Sequence, residues 1–132
     1  MARILIAEDD PVSREILKDI LTEAGHHVLE AKNGHEAVAL YREHHPELLM
    51  SDINMPGKEG LETFRELFFD FPDMRLIAFS GGSSITERPH IKLEFAENYG
   101  AVSSFTKPFE RDEVLRHVEA ALKQGKRENR SA

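Results

Sequence analysis

A short apolar run that ends in an aspartate constrains the fold of this chain most. Residues 48–51 read Leu-Leu-Met-Ser, Asp52 follows at once, and Pro56 and Gly57 come a few residues later. This pattern is typical of a buried strand that delivers a carboxylate to the edge of a sheet, where a loop then begins. Taken alone, Asp52 is either a charge at the edge of the core or a functional carboxylate.

The rest of the chain alternates short apolar runs with longer stripes at helical spacing. Such alternation predicts an α/β protein, a doubly wound parallel sheet of five strands with five helices on its two faces. Right-handed crossovers are expected between the strands. The predicted strands cover 4–7, 27–31, 48–51, 76–79 and 102–106. The predicted helices cover 11–24, 34–45, 61–71, about 90–98, and a last one after Phe109.

Local sequence signals indicate where helices begin and end and which side of a helix is buried. Asp10 followed by Pro11 is a favourable helix start, with the aspartate as N-cap, and Gly25 is a stop. The stripe of this first helix comprises Val12, Ile16, Leu17, Ile20, Leu21 and Ala24. Phe69 falls off the apolar stripe of the third helix, so we expect it to be partly exposed. We expect one domain over residues 1–124 and a disordered, polar and basic tail over 125–132.

Composition excludes several classes of function. The chain has 132 residues, a formal net charge of −7 and no cysteine. The negative charge argues against general binding of nucleic acid or anionic membranes. Without cysteine there is no disulfide, thiolate or cysteine-based zinc chemistry. No apolar segment approaches the roughly 20 residues of a membrane span, so we expect a cytoplasmic location.

Four polar signals follow strands of the predicted sheet. They are the acidic run Glu8–Asp10 after the first strand, Asp52 after the third, Ser80 after the fourth and Lys107 after the fifth. Functional groups of such sheets gather at the carboxyl ends of the strands. Crowded carboxylates repel one another, and Mg²⁺ relieves that repulsion because it prefers oxygen ligands. Together with a lysine and a hydroxyl group, the set suits phosphoryl transfer onto an aspartate nucleophile. The hypothesis is that Asp52 becomes phosphorylated.

The segments that carry these residues resemble a known family. ILIAEDDP, LLMSDINMPGKEGLE, IAFSGG and GAVSSFTKPF occur in the order and at the separation found in response-regulator receiver domains of two-component signalling. The resemblance extends from about residue 3 to 123. It implies a flavodoxin-like fold with strand order 2-1-3-4-5, similar to that of stand-alone chemotaxis regulators.

The resemblance also implies roles for individual residues. Asp52 would be the phospho-acceptor, Ser80 the switch hydroxyl, and Lys107 a contact to a phosphoryl oxygen. For Mg²⁺, it implies Asp9, Asp52 and the backbone carbonyl of Asn54 as direct ligands, with Glu8 acting through water. The bond between Lys107 and Pro108 would be cis.

Partners follow from the same resemblance. A sensor histidine kinase or histidine phosphotransfer protein would donate the phosphoryl group, and a protein target would read the result. Such a protein catalyses only its own phosphorylation and dephosphorylation, so it is not an enzyme in the usual sense. No output domain follows, so we expect output by protein–protein contact or a relay.

Two residues depart from the family pattern. Glu8 replaces the commoner aspartate and is one methylene longer. Ser104 stands where the family usually has tyrosine or phenylalanine, and it cannot supply the burial of an aromatic ring. The segment from Ser80 to Gly100 is longer than usual. The signal is therefore expected to pass through that segment, which hydrogen exchange over 80–99 with and without a phosphoryl mimic would test.

Two other functions use similar residues. A Mg²⁺-dependent phosphohydrolase with an aspartate nucleophile needs a second acid near it, and Asn54 is an amide that cannot fill that role. A flavin-binding module on the same architecture needs a hydroxyl- and glycine-rich phosphate loop after the first strand. The acidic run Glu8–Asp10 would instead repel a phosphate unless a metal intervened.

Overall fold

A parallel sheet of five strands forms the centre of the molecule. The computed structural model describes residues 2–53, 60–80, 101–106 and 109–123, with the backbone alone for 60, 61, 80 and 101–106. Within these residues the strands are β1 (Arg3–Ala7), β2 (His27–Ala31), β3 (Leu48–Asp52), β4 (Leu76–Ser80) and β5 (Ala101–Thr106). Their order is β2-β1-β3-β4-β5, and every neighbouring pair is parallel. The predicted strand order is therefore confirmed.

Helices cover both faces of the sheet. The described residues contain α1 (Pro11–Glu23), α2 (Gly34–His44), α3 (Gly60–Asp70) and α4 (Arg111–Lys123). The helix predicted at about 90–98 and the tail predicted over 125–132 lie outside the described residues. Side chains of β1 alternate between two cores: Leu5 packs in the cluster with α2 and α3, while Ile4 packs in the cluster with α1 and α4. The doubly wound, flavodoxin-like arrangement follows from this alternation.

The signals at the ends of α1 act as predicted. The Asp10 carboxylate accepts a hydrogen bond of 3.0 Å from the backbone N–H of Ser13, and Pro11 is the first helical residue. Gly25, just beyond the helix, has a φ of 96°, a conformation that a side chain would disfavour. Asp10 therefore caps the helix, as predicted.

The apolar stripe of α1 is only partly buried. Leu17, Ile20 and Leu21 lie in the core, whereas Val12 is 65% exposed and Ile16 is 45% exposed. At about 100° per residue, Val12 is turned by about 130° and Ile16 by about 90° from the centre of the buried face. Phe69 of α3 is 86% exposed, which goes further than the partial exposure predicted for it.

The loop between α1 and β2 carries a histidine that should make stability depend on pH. The backbone N–H of Ala2 donates to Nδ1 of His26 at 3.2 Å. Burial lowers the pKa of His26 below its ordinary value of 6.5, against a weaker opposing attraction from Glu47 and Glu119. The unfolded chain therefore takes up this proton more readily than the folded one.

We expect the contribution of His26 to stability to be complete above pH 6.5 and to be lost as the pH falls through the folded-state pKa. Urea unfolding across this range, for the wild type and His26→Gln, measures the effect because glutamine does not titrate. The decline in stability should be shallower in the variant. Identical pH profiles for the two proteins would contradict the assignment.

Candidate functional site

The carboxyl ends of β1 and β3 bring the acidic residues together. The two strands pair in parallel, with Ala7 opposite Ser51. Glu8 follows β1 directly, and Asp52 is the last residue of β3. Beyond Asp52, the backbone N–H of Ile53 donates to the carbonyl of Phe79 in β4 at 2.9 Å. The pairing of β3 on both sides therefore fixes the backbone from which the Asp52 side chain projects.

Three carboxylates converge at this edge. One oxygen each from Glu8, Asp9 and Asp52 lies within 4.8 Å of the others. Glu8 is fully buried, Asp52 is 4% exposed, and Asp9 is exposed to solvent. Two full charges at such a separation in a protein interior repel by on the order of 3 kcal/mol. A divalent cation that prefers oxygen ligands would offset this repulsion, so the donor set fits Mg²⁺.

Hydrogen bonds from backbone N–H groups stabilise the acidic loop after β1. The N–H of Glu8 donates to the carbonyl of Ala31 at 3.0 Å, and the N–H of Asp10 donates to Oε2 of Glu8 at 3.0 Å. Asp10 uses its carboxylate on Ser13, whose N–H and Oγ donate at 3.0 and 2.7 Å. The loop therefore contributes the carboxylates of Glu8 and Asp9 to the cluster with Asp52, while Asp10 caps the helix; their roles as metal ligands stay predictions.

The remaining predicted site residues are described less fully. Ser80 ends β4 and pairs with Thr106 of β5, so its backbone lies at the carboxyl edge of the sheet, beside β3. Lys107 and Asn54 lie outside the described residues, as does the bond between Lys107 and Pro108. The roles of Ser80, Lys107 and Asn54 stay predictions.

Arg14 is a neighbour of the site that the sequence analysis missed. Its guanidinium donates to the backbone carbonyl of Glu8 at 2.8 Å, and its Nε lies 3.3 Å from a carboxylate oxygen of Glu30. A signal was available in the sequence. A cation in the first turn of a helix is unfavourable because that end of the helix dipole is positive, so Arg14 should have been expected to have specific acceptors.

No helix in the described part of the chain has the length and apolar character of a transmembrane segment.

Comparison with known proteins identifies the family. The chain matches the family model of the response regulator receiver domain over residues 4–119. Its relatives include PilH of Pseudomonas aeruginosa, 33% identical with 92% of this chain and 98% of PilH covered. They also include the chemotaxis protein CheY of Bacillus subtilis, 36% identical with 91% of this chain and 97% of CheY covered. The chain therefore belongs to the response regulator receiver domain family of two-component signalling, and it is similar to chemotaxis-type regulators.

A solved structure extends the comparison to the fold. The response regulator TrrA of Thermotoga maritima, in complex with Mg²⁺ and BeF, superposes with a TM-score of 0.80 at 31% identity, covering 92% of this chain and all of TrrA. In other relatives the matching part is smaller, since this chain spans 27% of the crystallised NtrX of Brucella abortus. Family membership lends no support to the phosphohydrolase alternative.

Proposed function

We propose that the chain accepts a phosphoryl group on Asp52 from a phosphohistidine donor, with Mg²⁺, and thereby changes its affinity for a protein partner. The observation that carries the proposal is the buried Asp52 with carboxylate oxygens of Glu8 and Asp9 within 4.8 Å. The donor would be a sensor histidine kinase or a histidine phosphotransfer protein in the cytoplasm. The protein would catalyse only its own phosphorylation and dephosphorylation.

Asp52 supplies the nucleophile. A carboxylate oxygen attacks the phosphorus atom, the bond between phosphorus and the donor's imidazole nitrogen breaks, and its electron pair stays on that nitrogen, which then takes a proton. The product on Asp52 is an acyl phosphate. Burial of Asp52 strips water from the attacking oxygen, and β3 holds that oxygen in a fixed place, which favours an in-line transfer governed by positioning.

The acidic residues supply the metal site. Asp9, Asp52 and the backbone carbonyl of Asn54 would bind Mg²⁺ directly, and Glu8 would act through water. When bound, Mg²⁺ neutralises the charge that gathers on the phosphoryl oxygens. The exposure of Asp9 beside two buried carboxylates leaves one side of the cluster open to solvent, which is the side from which a donor protein can approach.

Ser80 and Lys107 would respond to the new charge. A phosphoryl group adds about −1.5 to −2 charges, and hydrogen bonds to a charged group contribute about 1.5–3 kcal/mol each. Moving a two-state equilibrium from 1:99 to 99:1 takes roughly 5.5 kcal/mol. The two residues acting together reach that range, whereas Ser80 alone does not.

Mass spectrometry of the intact protein tests the proposal. After incubation with Mg²⁺ and a small acyl phosphate, the chain should gain the mass of one phosphoryl group, and a chelator added beforehand should prevent the gain. A chain that stays unmodified with Mg²⁺ present would contradict the proposal. Repeated turnover of a small phosphate ester, with release of many equivalents of inorganic phosphate, would indicate the phosphohydrolase instead.

A further inference from the structure

We propose that Arg14 is a positioning residue for the metal site, one that fixes the peptide joining Glu8 to Asp9 without itself contacting the metal or the phosphoryl group. The inference rests on the proposed function, because it concerns how the acidic pair is held ready for Mg²⁺. It assigns a role in that chemistry to a side chain on α1.

The contacts of Arg14 run in two directions. One terminal nitrogen donates to the Glu8 carbonyl at 2.8 Å, while Nε lies 3.3 Å from Oε1 of Glu30 on β2. The other oxygen of Glu30 is 3.2 Å from Nζ of Lys18, one helical turn further along α1. The Arg14 side chain is only 17% exposed. The guanidinium therefore pairs with Glu30 of the sheet and donates a hydrogen bond to the backbone of the acidic loop.

The carbonyl that Arg14 contacts belongs to the peptide bond between Glu8 and Asp9, which carry two of the three converging carboxylates. The C=O of Glu8 belongs to the planar peptide unit that ends at the Cα of Asp9. The N–H of Glu8 is already held by the carbonyl of Ala31 at 3.0 Å. With the carbonyl held as well, the backbone is fixed on both sides of Glu8, and the starting point of the exposed Asp9 side chain is fixed with it.

Arginine suits this task for a geometric reason. Its planar fork offers donors in fixed directions, so one side chain can bond the Glu8 carbonyl and Glu30 at once. A lysine has a single nitrogen on a flexible stem and would keep the positive charge without holding both partners. The positive charge of Arg14 near the N-terminus of α1 also interacts unfavourably with the helix dipole. The two contacts of the guanidinium offset this energetic cost.

Mg²⁺ binding by titration calorimetry tests the role. Loss of residues that orient metal ligands typically costs about 10–100-fold in metal affinity. We expect Arg14→Met to weaken Mg²⁺ binding by about 10-fold, the lower end of that range, because Arg14 acts through the backbone. Arg14→Lys should recover only part of the loss.

Arg42→Met is the matched control, because Arg42 pairs with Glu66 and Asp70 between α2 and α3, on the opposite face of the sheet. This variant loses an arginine with two ion pairs and should bind Mg²⁺ as the wild type does. Wild-type affinity in Arg14→Met would overturn the proposal. So would full recovery in Arg14→Lys, because charge alone would then explain the effect.

A second measurement needs no metal. Without Mg²⁺, amide hydrogen exchange at Asp9 and Asp10 should be faster in Arg14→Met than in the wild type, and unchanged in Arg42→Met. Unchanged exchange in Arg14→Met would overturn the positioning role. If the wild type failed to bind Mg²⁺ at all, the proposed function would fall, and the exchange rates would still decide whether Arg14 holds this loop.

Discussion

Replacing Asp52 by asparagine is expected to abolish incorporation of a phosphoryl group. The amide has nearly the shape of the carboxylate, so the 4%-exposed position at the end of β3 should still be filled and the fold kept. An amide oxygen is a far weaker nucleophile than a carboxylate oxygen, and an acyl phosphate cannot form at that side chain. Intact mass after incubation with Mg²⁺ and a small acyl phosphate is the measurement.

Asp73→Asn is the control for this variant. Asp73 is an exposed aspartate before β4, at the opposite edge of the sheet from Asp52. The Asp73→Asn substitution removes the same charge by the same chemical change as Asp52→Asn. The Asp73→Asn variant should incorporate one phosphoryl group as the wild type does. An Asp52→Asn protein that is modified as fully as Asp73→Asn would exclude Asp52 as the acceptor.

Replacing Phe79 by alanine is expected to lower the free energy of unfolding by about 3–5 kcal/mol. Phe79 is fully buried in β4, and its ring meets that of Phe109 edge to face, with 5.1 Å between ring centroids. Alanine leaves a cavity that the flanking strand β3 and helices α1 and α4 can close only in part. Urea unfolding of the two proteins measures the difference.

Phe69→Ala is the control for Phe79→Ala, because it makes the same substitution at an exposed position. Phe69 is 86% exposed on α3, and a substitution at such a surface site usually changes stability by no more than about 0.5 kcal/mol. The same side chain is removed in both variants, so the difference between them isolates burial. Similar losses in the two variants would show that Phe79 is not packed as the structure has it.

The strands could be predicted because each one combines two signals in the sequence. Each strand is a short apolar run with polar or turn residues after it, as at Ala7 with Glu8 and at Ser51 with Asp52. Parallel strands send those following residues to one edge, so the meeting of Glu8, Asp9 and Asp52 was predictable without coordinates. The strand order itself came from resemblance to a family.

Other features depend on packing that no local pattern specifies. The apolar stripe of α1 was wide enough to include Val12 and Ile16, and only contact with the sheet selects Leu17, Ile20 and Leu21 as its buried part. The position of Arg14 near the start of α1 indicates only that it needs acceptors, and the fold alone identifies them as Glu30 of β2 and the carbonyl of Glu8. Such contacts join residues that are distant in the chain, so single-residue propensities do not contain them.

The most direct test of the central claim is to locate the phosphoryl group chemically. Borohydride reduces an acyl phosphate on aspartate to homoserine, which marks the acceptor permanently for peptide mass spectrometry. After phosphorylation with Mg²⁺, we expect homoserine at position 52 and at no other aspartate. Homoserine at Asp9 or another aspartate, with position 52 unchanged, would contradict the account.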